Sequence, residues 1–566
     1  MTDIRNDVLY AVLNKSYALI DNDTGRDTHK TYEFRKQIIL DDKSLTENEK
    51  FEAIKIITKT YDLNKLIFDQ GAKRICENCN QECLATLFCE HCVRNYLKSN
   101  FPKWTSGNDN IDNLIQECQM KTISPDKIPE WIPYNNLEDI EYLTKGGFSE
   151  IYKAVWVDGY YIEWDSKKQQ LVRFGSHYVV LKRLENVENA NQRWLEEARS
   201  HLTVSNKWSD VVQCYGLTRD PSNGNYMLVM NILDTDLRKY LQQNHNQLTW
   251  KEKVQIAFNI INALEKIHVE NAIHRDLHSG NILFIQRDQN FRVSDLGFCG
   301  PANRPLKSIY GNLPYLAPEV IVGKEQTFKS DIYSIAILMW EISSGRPPFF
   351  NSEHNYYLAM NIVNGIRPNI VPGTPLEYKN LMIQCWDADP SKRPDIFTLA
   401  RRMRGVNLFY QSKSNESLFQ LEENNNFRIE NYTTSSSKLF TSKLHQFDNL
   451  PEPRNATEEE LEAFYSKPYD FYIPDNIDDF GKSINQDDNG ILINKGDSKN
   501  LSKVFNELQI SSKADVQNNY YGEEIMEQQI KNVYTDDDED EVYNNPNLHS
   551  GEQDELELPD SRDFYE

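Results

Sequence analysis

Residues 273–283 read I-H-R-D-L-H-S-G-N-I-L. Asp276 stands five positions before Asn281, between two short apolar runs that read as buried β-structure. Twelve residues past Asn281 a second buried-strand signal, V-S-D-L-G at 293–297, brings in Asp295. A carboxylate, a carboxamide and a second carboxylate delivered this way suit a site that orients a hydroxyl and holds Mg²⁺ on a polyphosphate.

Together the two stretches resemble the catalytic loop and metal-binding triplet of protein kinases, H-R-D-x-x-x-x-N followed by D-F-G. Two motifs in order at this spacing are far more specific than either alone. The resemblance implies an α+β, two-lobed fold over residues 137–404, with a small β-rich N-lobe and a larger helical C-lobe. It implies that Asp276, preceded by Arg275, accepts or orients the substrate hydroxyl, and that Asn281 and Asp295 hold Mg²⁺ or Mn²⁺ on ATP. The triplet here is D-L-G, with Leu296 in place of Phe and the ligand Asp295 intact.

Other family motifs lie outward in the expected order. L-T-K-G-G-F-S-E-I-Y-K-A at 143–154 resembles the glycine-rich loop, with Gly146, Gly147, Phe148, Ser149 and Ile151 around the nucleotide. The match is imperfect, because Thr144 and Ser149 hold the first and third glycine positions. V-V-L-K at 179–182 resembles the strand whose lysine, Lys182, pairs with the phosphates; a lysine on an apolar strand needs a buried partner. In W-L-E-E-A-R at 194–199 that partner is Glu197, with Glu196 as the fallback. A long aromatic and charged insert, 158–176, separates loop and lysine and has no evident role. Y-M-L-V-M-N-I-L at 226–233 resembles the strand into the hinge, with Met230 behind adenine and the backbone of Asn231 to Leu233 offered to the base.

On the C-terminal side, G-N-L-P-Y-L-A-P-E at 311–319 closes an activation segment in which Ser308 and Tyr310 are candidates for a steadying phosphate. Glu319 is expected to pair with Arg393, and Asp331 to brace the catalytic loop. The C-W-x-x-D-P-x-x-R-P ending is similar to the tyrosine-kinase-like group, whose members mostly modify Ser and Thr. His278 stands where Ser/Thr kinases usually place Lys, and Asn312 where they place Thr, so Tyr stays open as acceptor.

Residues 1–70 read as helical, with a Thr46/Glu49 capping box ahead of apolar Phe51, Ile54, Ile57 and Tyr61. C-E-N-C at 76–79 and C-E-H-C at 89–92 form two knuckles able to gather Cys76, Cys79, Cys89 and Cys92 around structural Zn²⁺, with Cys83 and His91 as alternative ligands. This knuckle segment and a short amphipathic helix fill 71–120. Prolines then mark 121–136 as an extended linker. The order of knuckles, linker, kinase and acidic tail is similar to kinase-like proteins of expanded mycorrhizal fungal families.

The formal net charge of the 566 residues is −24, which disfavours a nucleic-acid partner. Residues 521–566 hold 16 acidic against 2 basic residues, and 405–566 reads as an acidic, low-complexity, mostly disordered tail. Within it, stretches near 450 and 465 read as extended segments able to dock. There is neither an 18-residue apolar run nor a secretory start, and the nine cysteines are odd in number and scattered. These features point to an intracellular, cytoplasmic protein without membrane contact, the nucleus left open. The expected function is ATP-dependent phosphoryl transfer to protein Ser/Thr, with Tyr open. The competing expectation is a pseudokinase scaffold working through knuckles and tail.

Overall fold

The computed structural model describes residues 4–20, 27–145, 149–184, 192–296, 300–301, 309–413, 442–447 and 449–466. Among them no helix is long and apolar enough to cross a membrane.

The N-terminal helices are α1 (Asn6–Ala18), α2 (Thr28–Asp41) and α3 (Glu47–Phe68). The Thr46 hydroxyl accepts from the Glu49 N–H and the Glu49 carboxylate from the Thr46 N–H, so the capping box forms as expected. The buried face is set by Ala53 and Ile57 against Leu9, Leu13 and Ile39. Of the expected stripe, Ile57 is buried and Ile54 packs against the same cluster, while Phe51 is 73% exposed and takes no part in it. At the far end of α3, buried Lys65 and Asp62 pair at 3.0 Å. The Lys65 ammonium also donates to the Leu84 carbonyl and Asp62 accepts the Leu87 N–H, tying α3 to the cysteine segment.

That segment consists of β1 (Arg74–Ile75), β2 (Glu82–Cys83) and α4 (Glu90–Asn100), followed by α5 (Asp109–Met120). The proline-marked stretch after α5 carries short 3-10 turns at Pro125–Lys127 and Tyr134–Asn136 and belongs to the next lobe. Its β3 (Glu130–Trp131) adds a parallel edge strand to a six-stranded sheet. The other strands are β4 (Leu137–Lys145), β5 (Ser149–Trp156), β8 (His177–Leu184), β9 (Cys214–Arg219) and β10 (Tyr226–Asn231), in the order β3-β9-β10-β8-β5-β4. Between β5 and β8 the insert folds as a hairpin, β6 (Tyr161–Asp165) and β7 (Gln170–Arg173). Trp164 and Leu171 of the hairpin are buried in one cluster with the four knuckle cysteines, Phe88 and Val93. The insert thus fastens the cysteine segment to the N-lobe, and Arg173 pairs with Glu130 of β3 at 2.5 Å.

Helix α6 (Gln192–Ser200) packs on the sheet, and the C-lobe follows with β11 (Thr235–Asp236), α7 (Leu237–Asn244) and α8 (Trp250–Val269). Next come β12 (Ala272–Ile273), β13 (Ile282–Ile285), β14 (Asn290–Val293), β15 (Gly300–Pro301) and β16 (Ile309–Gly311). Helices α9 (Pro318–Ile321), α10 (Phe328–Ser344), α11 (Tyr356–Val363), α12 (Leu376–Cys385) and α13 (Ile396–Ser412) complete the lobe. Every residue of α10 from Ser330 onward is buried, the carboxylates Asp331 and Glu341 included. This is the two-lobed arrangement the kinase resemblance implies.

Part of the low-complexity tail is built into the C-lobe rather than left loose. Helix α13 runs on to Ser412, and β17 (Lys443–His445) and α14 (Glu458–Tyr465) lie against the lobe. The backbone passes so close that a Cβ added at Gly365 (φ +92°) would sit 2.1 Å from the Ala456 nitrogen. The Asn455 carboxamide accepts from the Ala388 N–H at 2.8 Å, and the Tyr465 hydroxyl donates to the Arg367 carbonyl at 2.5 Å. The tail from 467 on lies outside the described residues.

Candidate active site

The loop between β12 and β13 is held from below by one carboxylate. Asp331, at the start of α10, accepts the N–H of His274 at 2.8 Å, the N–H of Arg275 at 3.0 Å and contacts His268 Nε2 at 2.9 Å. These bonds hold Arg275 at φ +69°, a left-handed conformation costing an arginine about 1–3 kcal/mol. The turn projects Asp276 and returns through Asn281, whose side-chain nitrogen donates to the Asp276 carbonyl at 2.9 Å. The nitrogen end of that carboxamide is thereby committed, and its oxygen is the end left to meet a cation. The Ser294 N–H donates to the Asn281 carbonyl at 2.8 Å, so the backbone leaving β14 towards Asp295 is locked to the backbone entering β13 from Asn281.

Lys182 lies on β8 between Ile151 of β5 and Leu228 of β10. Its ammonium is buried and reaches Glu197 of α6 at 3.1 Å and Asp295 at 2.6 Å. The partner is therefore Glu197, not Glu196. Burial disfavours charge on Lys182, yet Asp295 and Glu197 outweigh it and hold the pKa above its ordinary value. Burial also pushes Asp295 up, but Lys182 wins and keeps it well below the usual carboxylate range. Asp276 goes the other way. Burial raises its pKa to about 7, opposed by a hydrogen bond from Ser442 and reinforced by Asp295. Two neighbouring carboxylates are so driven apart, one to stay ionised and one to exchange a proton near neutrality.

The remaining residues fall as follows. Met230 is buried at the end of β10. The Asn231 N–H donates to the Gln213 carbonyl at 2.9 Å, beside a β-bulge between Val229 and Met230. Ser149 opens β5 and is buried. Gly146, Gly147, Phe148 and Ser308 lie outside the described residues. Tyr310 is buried in β16 and offers no exposed hydroxyl for a phosphate. Arg393 and Glu319 form the expected pair, bidentate at 2.7 Å on both arms.

Two supporting groups, and one tail residue that touches Asp276, escaped the sequence reading. Glu341 of α10 accepts from Ser279 of the catalytic loop at 2.9 Å and from the Tyr315 hydroxyl, with Arg238 at 3.6 Å. A lone carboxylate closing the apolar run I-A-I-L-M-W-E was the signal available for it. Helix α5 packs Ile111, Leu114, Ile115 and Cys118 against Trp194 and Ala198 of α6, and so braces Glu197 from behind. The third, Ser442, carried no local signal among the serines around it.

Apart from this cleft, Cys76, Cys79, Cys89 and Cys92 bring their sulfurs within 4.8 Å of one another. The Cys76–Cys92 and Cys79–Cys89 separations are 3.8 and 3.6 Å. A Zn–S bond of ~2.3 Å in a tetrahedron requires sulfurs about 3.8 Å apart, so the donor set fits Zn²⁺ and is too open for a disulfide. The Cys79 N–H donates to the Cys76 sulfur and helps bring its pKa down to about 6. His91, an alternative ligand on sequence, instead bonds the Glu82 carbonyl at 2.9 Å.

Residues 137–403 match the model of a family described as protein tyrosine and serine/threonine kinase. The chain is 30% identical over 322 residues to the probable serine/threonine-protein kinase roco5 of Dictyostelium discoideum, covering 52% of this chain and 11% of that one. It is 27% identical over 289 residues to the probable serine/threonine-protein kinase roco7 of the same organism, 48% of this chain and 10% of that one. Against the human dual serine/threonine and tyrosine protein kinase the identity is 32% over 184 residues, 32% and 19% of the two chains. The chain thus spans at most a fifth of the length of these relatives.

Proposed function

We propose, from the premise that residues 137–403 of this chain form a protein kinase domain, that the protein transfers the γ-phosphoryl group of ATP to protein Ser and Thr hydroxyls. The observation that carries the reading is the convergence of Lys182, Glu197 and Asp295, which come from β8, from α6 and, 113 residues on from the lysine, from the end of the strand pair β13–β14. Phosphoryl transfer asks a protein mainly for placement and charge neutralisation, and each of these groups supplies one of them. Lys182, held charged by its two carboxylates, receives the ATP phosphates. Glu197 fixes the lysine's position. Residues 230–233 line the adenine side, with the Asn231 carbonyl and the backbone of Ile232 and Leu233 facing the base. Asp276 orients the acceptor hydroxyl and takes its proton.

Asn281 and Asp295 supply hard oxygen donors, the type Mg²⁺ or Mn²⁺ takes. Bound there, the cation neutralises charge on the transferring phosphates. Acceptor preference for Ser/Thr agrees with the names of the Dictyostelium relatives, and the human relative's dual name keeps Tyr in the test. Incubating the protein with labelled ATP, Mg²⁺ or Mn²⁺ and a Ser, Thr and Tyr peptide library is expected to label Ser and Thr peptides. No label on any peptide with either cation would end the reading.

The cysteine cluster serves as a closed structural zinc site, four protein ligands leaving no position for chemistry. Elemental analysis should return one zinc per chain. A strong chelator should lower the melting temperature, since binding free energy at such sites is folding free energy. A chain that holds no zinc and melts unchanged with chelator would refute this assignment.

A further inference from the structure

One segment of the tail lies where an acceptor would. Strand β17 pairs antiparallel with β16 of the activation segment: Ile309 opposite His445, Tyr310 opposite Leu444, Gly311 opposite Lys443. This pairing delivers the residue just before the strand, Ser442, to Asp276. Ser442 Oγ donates to Asp276 Oδ1 at 2.8 Å and stands 3.1 Å from His278 Nε2. The tautomer of His278 follows from its other nitrogen. Nδ1 accepts the Gly280 N–H at 3.0 Å, so the ring proton is on Nε2 and points at Ser442 Oγ. The serine oxygen is thus held by a donor on one side while its own proton is given to a carboxylate on the other.

The segment after the strand is fixed to the lobe at several points. His445 Nε2 bonds the Gly311 carbonyl at 3.0 Å, and the His445 ring stacks on Phe447. Lys324 pairs with Glu452 at 2.6 Å, and the Arg454 N–H donates to the Val363 carbonyl at 3.1 Å. The close passage over Gly365 and the Asn455 and Tyr465 bonds continue the track. Ser442 is thereby delivered by a built docking surface, not by a chance touch of a loose chain.

We propose that Ser442 is an intramolecular phosphoacceptor: the protein phosphorylates its own tail in cis, and until it does so that segment blocks the acceptor groove. The proposal rests on the kinase reading above and deepens it. In the step, Ser442 Oγ forms a bond to the γ-phosphorus of ATP while the bond from that phosphorus to the β–γ bridging oxygen breaks. The hydroxyl proton passes to Asp276, and ADP leaves with the bridging oxygen. The product carries a dianionic phosphate beside Asp276 and Asp295, where like charges repel, so the segment is expelled and the groove opens to other proteins.

The test uses the full chain, first treated with phosphatase, then given Mg-ATP with and without casein as a general acceptor. Phosphopeptide mapping is expected to find phosphate on Ser442, formed with a first-order rate constant unchanged over a tenfold range of protein concentration. In Ser442→Ala that phosphate is lost, while labelling of casein persists and no longer waits on an initial lag. In Ser442→Thr the phosphate returns, on threonine. Casein labelled with Ser442 left unmodified would overturn the proposal and leave the kinase reading standing. A rate that climbs in proportion to concentration would overturn the cis step. No label on casein or on the chain, with Mg²⁺ or Mn²⁺, would overturn both readings.

Discussion

Asp276→Asn should lower kcat for phosphoryl transfer by about 10²–10⁴-fold, the range supplied by a positioned general base. Asparagine keeps the shape and can still accept a hydrogen bond, so substrate binding should change far less than turnover. The wild-type pH profile carries a second signature. Burial, with the Asp295 charge adding and the Ser442 bond opposing, raises the carboxyl pKa to about 7, and Lys182, His278 and Tyr310 also face it. Protonated Asp276 cannot take the hydroxyl proton, so kcat/KM should rise with pH through about 7. That limb should vanish in the variant. Stability runs in the opposite sense. A carboxylate whose folded pKa is raised contributes most below its unfolded pKa, and that contribution is lost as pH rises through about 7. At pH 8 the variant should therefore melt no lower than wild type. Wild-type turnover in Asp276→Asn would remove the residue from the mechanism.

Arg393→Met should destabilise the C-lobe by about 3–5 kcal/mol, the cost of stranding one buried charge by removing its partner. The Arg393 side chain is fully buried and meets both oxygens of Glu319 at 2.7 Å. It also donates to the Asp387 and Lys329 carbonyls at 2.8 and 2.9 Å, and methionine loses both bonds besides the carboxylate's. Denaturant melts should show the loss directly. Replacing both partners together, Arg393→Met with Glu319→Leu, should recover part of it, because the uncompensated charge is then gone. A variant within 1 kcal/mol of wild type would mean that water reaches the pair.

The catalytic loop was legible because its chemistry is local: Asp276, Asn281 and Asp295 lie within twenty residues and are fixed by short strands. The choice of Glu197 over Glu196 was legible for the same reason, since one helical turn sets which carboxylate faces the sheet. Pairings across long stretches of chain left no such trace. The 158–176 insert looked purposeless until its hairpin met the cysteine cluster, and Ser442 lies 166 residues from the aspartate it touches. Neither contact leaves a period or a motif, because each needs two surfaces that the fold alone brings together.

Helix α5 carries a last consequence. It lies wholly outside the stretch that matches the kinase family, yet Ile111, Leu114 and Ile115 are almost fully withdrawn from water beneath the helix that bears Glu197. A polypeptide trimmed at residue 137 would bare that greasy seat and let the glutamate drift from its lysine. Competence of the nucleotide cleft is therefore leased from a neighbour upstream, and any partner that prised α5 away would switch the machine off without touching a single reacting group.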